Sequence, residues 1–187
     1  SAANTSLYSA SLESIKKSDY VISVGASVSS DNPMIRFSLA QAVNHNKAYI
    51  ASIHPVEESG ISNLVSLFIK NEVGSEEAAL AMIADTFVED TSNQQELFDS
   101  LDLGYLCGES NISEEELEKL KRGFFRKNSP VLVVGEDVIN HTREKNIALI
   151  AGYLQKNTSF KVMVVPPVTN TLGVSMICDL DEPEEGL

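Results

Sequence analysis

Short β-branched apolar runs alternate along this chain with longer stretches whose apolar residues recur at helical spacing. "YVISV" at 20–24, "AYIASI" at 48–53, "LVSLFI" at 64–69, "VLVVG" at 131–135 and "KVMVV" at 161–165 are strand-length runs. They lack polar alternation, the pattern of strands buried on both faces of a parallel sheet. Five helices are predicted around them. "LYSASLESIK" at 7–16 has apolar residues at 7, 8, 12 and 15. Asn32 and Pro33 supply an N-cap and a first helical residue for a helix whose predicted apolar face is Met34, Phe37, Leu39, Ala40 and Val43. Ser75, followed by Glu76 and Glu77, opens a helix through "AALAMIADTF", with the carboxylates favourably placed on the helix dipole. Ser113 and Glu116 form a capping-box pattern ahead of "EEELEKLKRGFF". "TREKNIALIAGYLQKN" sets Ile147, Ile150, Ala151 and Leu154 on one side of the last helix.

The plan is used twice. "YVISVGASVSSDNPMIRFSLAQAVNHNKAYIASIHP" and "PVLVVGEDVINHTREKNIALIAGYLQKNTSFKVMVVPP" share the order strand, Val-Gly, polar turn, helix, strand, proline. Gly25 to Pro55 spans 30 positions and Gly135 to Pro166 spans 31. The predicted fold is therefore a three-layer α/β/α arrangement with a mostly parallel sheet and two similar βαβ halves, with right-handed crossovers. We divide the chain into a first half at 1–90, a connecting segment at 91–112 and a second half with an acidic tail at 113–187. The polar stretch 88–112, with Gly104, Gly108 and a short helical candidate "NQQELFDSL", is the candidate hinge.

With 187 residues the chain can bury roughly 70% of its unfolded surface. No apolar run reaches the roughly 20 residues of a membrane helix, so direct membrane insertion is not expected. A net charge of -13 repels nucleic acid and anionic surfaces. Part of it is a solvated tail: Asp179, Asp181, Glu182, Glu184 and Glu185. "SAAN" has neither the basic region nor the apolar core of a signal peptide. Cys107 and Cys178 stand 71 positions apart with no metal-ligand spacing. This fits a reducing compartment and no zinc or iron-sulfur cluster within this chain.

Candidate chemistry concentrates in "SVGASVSSDNP" at 23–33, where a strand hands over to a helix. Such turns hold phosphates on glycine-rich backbone and helix amides. Neither G-x-G-x-x-G nor a Walker pattern is present: "GASVSS" and "GEDVIN" carry one glycine each. Ser27, Ser29, Ser30 and the amides near Asn32 can still bind an anion, but Asp31 in this turn, and Glu136 and Asp137 in the second, oppose one. A capped strand-to-helix turn is the favoured reading. His45 at a helix end, His54 at a strand's carboxyl end and His141 in a polar turn read as structural, since no catalytic grouping accompanies them. No catalytic residue and no metal ligand is assigned.

"SDYVISVGASVSSDNPMIRFSLAQAV", then "HP" and "NEVGSEEAALAMIAD", and later "NSPVLVVGEDVINHTREKNIALIAGYLQKN" with "PPVTNTLGV", together resemble the molybdopterin oxidoreductase family. The likeness spans about residues 11–177 and rests on order and spacing. It implies a formate dehydrogenase/DMSO reductase-like fold. The "VGASVSSDNPMIRFSLAQA" turn and helix resemble the branch within the large iron-sulfur subunit of respiratory NADH-quinone oxidoreductase, complex I. That likeness implies a scaffold domain without chemistry of its own, no cofactor in this segment, and iron-sulfur clusters elsewhere in the parent subunit. It implies the other subunits of the complex as partners, and a cytoplasmic location peripheral to the inner membrane. The alternative is a piece of an active enzyme holding molybdopterin guanine dinucleotide, with Gly25, Ser27, Ser30, Asn32, Asn170 and Gly173 as candidate contacts. A third is a nucleotide-binding middle domain of the thiamine-diphosphate enzyme type, which "SPVLVVGEDV" resembles.

Overall fold

The fold is seen in a computed structural model, described here for residues 9–29, 32–88, 108–139 and 141–165. In chain order the described elements are α1 (Leu12–Lys17), β1 (Tyr20–Val24), α2 (Pro33–Asn46), β2 (Tyr49–Ile53), β3 (Leu67–Ile69) and α3 (Glu76–Phe87). They continue with α4 (Glu114–Phe124), β4 (Pro130–Val134), α5 (Glu136–Ile139), α6 (Glu144–Asn157) and β5 (Lys161–Val164). The five strands form one parallel sheet in the order β3-β2-β1-β4-β5. β1 pairs with β2 on one side and β4 on the other, so the two halves share a continuous sheet.

Two apolar cores flank that sheet. Tyr20, Ile22, Val24, Leu132 and Val134 point to the side covered by α3, α4 and α6. Val21, Ile50, Val131 and Val133 point to the other, where Ile15, Ile35, Leu39 and Ala42 of α1 and α2 cover them. The alternation follows from the pleat, and burial on both faces accounts for the continuous apolar runs. The three-layer α/β/α fold is thus as expected. Register is pinned by Asp19, whose carboxylate accepts the amides of Asn128 (2.9 Å) and Ser129 (3.0 Å), while its carbonyl accepts Tyr49 N (3.0 Å). One residue aligns the starts of β1, β2 and β4.

Several local expectations change. α1 starts at Leu12 because Ser11 and Ser14 cap it reciprocally. Upstream, Ala10 N donates to Val162 O (3.0 Å) and Ser9 Oγ accepts Val162 N (3.0 Å), so this segment runs beside β5. The buried face of α2 is Ile35, Ser38, Leu39 and Ala42, at i, i+3, i+4 and i+7. Met34 and Phe37 lie off that stripe and are exposed, with Lys16 Nζ 5.8 Å from the Phe37 ring centroid. β3 begins only at Leu67, because the Leu64 and Val65 amides close a turn on Ile61 O (2.8 and 3.2 Å). Ser75 occupies the N-cap position of α3, yet its hydroxyl donates back to Glu72 O (2.7 Å) instead of capping. The Ser113–Glu116 capping box forms as predicted. The "NQQELFDSL" helix, most of the 88–112 hinge, both cysteines, Asn170, Gly173 and the acidic tail lie outside the described residues.

Candidate functional site

The strand order reverses between β1 and β4. In open α/β sheets, ligands lie in the crevice outside the carboxyl ends at that point. Here the turns after β1 and β4 meet. Gly25 has φ +58, in the left-handed region that glycine adopts without a Cβ penalty. Its amide donates to Ile53 O (3.1 Å), and Gly135 N donates to Val24 O (2.9 Å). Asp137 N, in the first turn of α5, donates to Gly25 O (3.2 Å). A Cβ on Gly135 would stand 2.0 Å from Gly25 O and 2.2 Å from Ala26 Cα. The two turns therefore pack backbone against backbone, and that seam closes the part of the crevice nearest the sheet.

Beyond the seam, the β1 turn gives its donors to a side chain of this chain. Val28 N donates to Glu58 Oε1 (2.8 Å) and Ser29 N to Glu58 Oε2 (2.7 Å), while the Ser29 hydroxyl also bonds Oε2. A carboxylate on two adjacent amides and a hydroxyl is a charge-assisted contact, about twice as strong as a neutral one.

Two histidines sit on the same edge. The His54 ring follows β2; its Nδ1 lies 3.1 Å from Val56 N and 2.8 Å from Val56 O. Its Nε2 is 3.3 Å from Asp137 Oδ2, within ion-pair range but without hydrogen-bond alignment. A carbonyl only accepts, so the shorter contact, to Val56 O, has Nδ1–H as its donor, and Nε2 faces the Asp137 carboxylate without a hydrogen bond. His141 is better defined. A carbonyl only accepts, so its 2.9 Å contact with Gly74 O requires Nε2–H, and Nδ1 accepts Arg143 N (3.0 Å). Both ring nitrogens are then satisfied in the neutral form. The nearby Glu76 carboxylate is 3.9 Å from Nε2 and its side chain is 3% exposed. Arg143 Nη1 and Asn146 Nδ2 hold Glu77 (3.0 and 2.8 Å), tying the start of α6 to the start of α3.

The edge is consequently rich in carboxylates: Glu58, Glu76, Glu77 and Asp137 are all within the arrangement just described. Arg143 is committed to Glu77, and Arg36 Nε is turned onto Gly60 O (2.9 Å). No group of three or more His, Cys, Asp or Glu that could hold a metal ion occurs among the described residues. None of these contacts arranges a nucleophile, base and orienting acid.

Residues 1–163 match the molybdopterin oxidoreductase family. The chain belongs to that family. No curated protein gives a significant match.

A pterin dinucleotide brings a pyrophosphate, which needs free amides, cations and close backbone approach. The described residues of this molybdopterin oxidoreductase domain do not fit it. The Val28 and Ser29 amides are taken by Glu58, the Asp137 amide by Gly25 O, and carboxylates crowd the edge. Of the sequence candidates, Gly25 forms the seam. Ser27 is half-buried in the same turn, and Asn32 begins α2 without a side-chain capping bond. Ser30, Asn170 and Gly173 fall outside the described residues.

Sequence spacing does not single out Glu58. Nor does it single out the buried carboxylate of Glu76 or its neighbour His141. Apart from the Arg143 amide beside His141, their partners lie 29 or more positions away in the chain. A glutamate two residues before a glycine, in the loop at a strand's carboxyl end, was the one available signal for Glu58.

Proposed function

We propose that this molybdopterin oxidoreductase domain is a scaffold and interaction domain of a larger redox protein, without chemistry of its own. The large iron-sulfur subunit of respiratory NADH-quinone oxidoreductase is the kind of parent we infer. In that role it supports electron transfer from NADH to quinone by holding neighbouring parts in place. Iron-sulfur clusters would lie elsewhere in the parent, and the complex would sit on the cytoplasmic side of the inner membrane. The observation that carries this reading is the seam at the switch point, where Gly135 N meets Val24 O and Asp137 N meets Gly25 O, with no room for a Cβ between the turns. Backbone packed at that distance leaves no place for a pyrophosphate against the sheet. Met34 and Phe37, exposed on the outer side of α2, support a role in contacts with other subunits. No helix among the described residues is long and apolar enough to cross a membrane, which fits a peripheral placement.

Metal analysis and cofactor extraction of the intact parent protein test the proposal. The expected result is iron without molybdenum or tungsten, and no pterin dinucleotide. Stoichiometric molybdenum with a pterin dinucleotide overturns it and establishes an active family enzyme.

A further inference from the structure

The loop after β2 does more than connect it to β3. From Glu58 it turns back through Ile61, whose amide donates to Glu58 O (3.2 Å) and whose side chain is buried beside Val28 in the core under α2. Ser62 Oγ donates to Ser59 O (3.1 Å), and Arg36 Nε on α2 donates to Gly60 O (2.9 Å). Gly60 lies directly on Ser29: a Cβ there would stand 2.6 Å from Ser29 Cβ and 3.0 Å from its Oγ. The strap is therefore anchored by a buried isoleucine, tied by an arginine and relieved of a side chain where it crosses Ser29. All of this seats one carboxylate on Val28 N, Ser29 N and Ser29 Oγ.

We propose that these three donors are an oxyanion site that the chain fills from within, Glu58 being a tethered ligand that keeps phosphate groups out of the β1 turn. This deepens the scaffold reading, on which its biological sense rests, by naming what occupies the turn. A tethered group competes at an effective concentration of about millimolar for a short flexible linker. The strap is anchored at both sides of Glu58, so its carboxylate competes at higher values still. A free anion at millimolar concentration does not displace it.

The test titrates the isotope-labelled 187-residue chain with pyrophosphate and follows the Val28 and Ser29 amide resonances, with sodium chloride at matched ionic strength as control. In the wild type no saturable shift at these two amides is expected up to roughly 10 mM. In Glu58→Ala, both amides are expected to shift saturably, with a half-saturating concentration at least about tenfold lower than any wild-type response. A folded Glu58→Ala chain without a saturable shift overturns the proposal, as does wild-type binding of equal strength. Should Glu58→Ala lose its fold, Glu58→Gln preserves side-chain shape and removes the charge. The Val28 and Ser29 amides are then expected to move toward weaker hydrogen bonding and to respond to pyrophosphate. Unchanged resonances and no response in Glu58→Gln would equally overturn it. The scaffold reading fails on the cofactor content of the parent protein instead, so the two failures are distinguishable.

Discussion

At the amino end of the sheet, Tyr20 and Tyr49 begin β1 and β2 with rings stacked at 5.6 Å, and Phe87, Phe124 and Phe160 close around them edge-on or stacked at 5.2 to 6.2 Å. At the carboxyl end of the same strands the Gly25 and Gly135 backbones meet directly, with the Glu76, Asp137 and Val138 side chains against Gly25 and Glu58 and two histidines on the same edge. Both ends are closed, one by side chains and the other by main chain. The difference matters because a ring can tilt to accommodate a neighbour, whereas two hydrogen-bonded backbones at a sheet end cannot separate without breaking the strand pairing. It also explains why the end at which α/β folds hold ligands is here the less adaptable one.

Two glycine substitutions set these materials against each other, and the larger effect belongs to the carboxyl end. Gly135→Ala puts a methyl 2.0 Å from Gly25 O. Relief requires β1 and β4 to part where Gly135 N bonds Val24 O and Asp137 N bonds Gly25 O. The expected loss is about 4 kcal/mol, at the extreme of single substitutions, read as a fall in the urea midpoint. A loss under about 1 kcal/mol, within the ordinary range for substitutions, would show that the seam yields and would remove the main support for the scaffold proposal.

Gly123→Ala is the counterpart at the amino end. Its methyl would stand 2.6 Å from the Tyr49 ring, a distance that also requires movement. Here the obstacle is one half-buried side chain, and alanine in place of glycine within α4 contributes up to about 1 kcal/mol of helix propensity in return. The expected net change is a loss of about 1 kcal/mol, reflecting overpacking partly offset by propensity. If Gly123→Ala and Gly135→Ala cost the same, the contrast between ring and backbone closure is wrong.

The legibility of the two ends in the sequence differs in the same way. Apolar runs and capping residues made the strands and most helices readable, because burial and helix ends are local in cause: Ser113 with Glu116, or the face of Ile147, Ile150, Ala151 and Leu154, needs only neighbouring positions. Met34 and Phe37 misled, because an apolar residue is informative only relative to the stripe that the core selects. The carboxyl end was legible only as a place. "SVGASVSSDNP" marked a strand-to-helix turn with one glycine and an unfavourable charge. What fills it, Glu58, and what seals it, Gly135 against Gly25, are pairings between segments 29 to 110 positions apart, which spacing within one segment does not encode.

The smallest expected effect comes from Tyr20→Phe, which retains the ring and removes its hydroxyl. That hydroxyl donates to Leu120 O at 2.8 Å in the middle of the aromatic cluster. Losing the bond leaves Leu120 O without this donor, and near neutral pH the variant should be less stable by roughly 0.5 to 1 kcal/mol. The pH dependence identifies the cause. Burial, with a smaller contribution from Tyr49, raises the Tyr20 pKa far above its ordinary value of 10.0. The folded state therefore holds this proton more tightly than the unfolded chain does. Its contribution is fully present below about pH 10 and is lost as pH rises above that value toward the folded-state pKa. The wild-type advantage over Tyr20→Phe should accordingly shrink above pH 10 and then reverse, since phenylalanine has no proton to lose. Tyr49, also raised by burial, titrates in both proteins and cancels to first order. Denaturant unfolding of the pair at pH 7 and at several values above pH 10 measures this directly. Parallel stability curves would show that Tyr20 is not sealed from water, and with it that the ring-closed end is looser than its packing indicates.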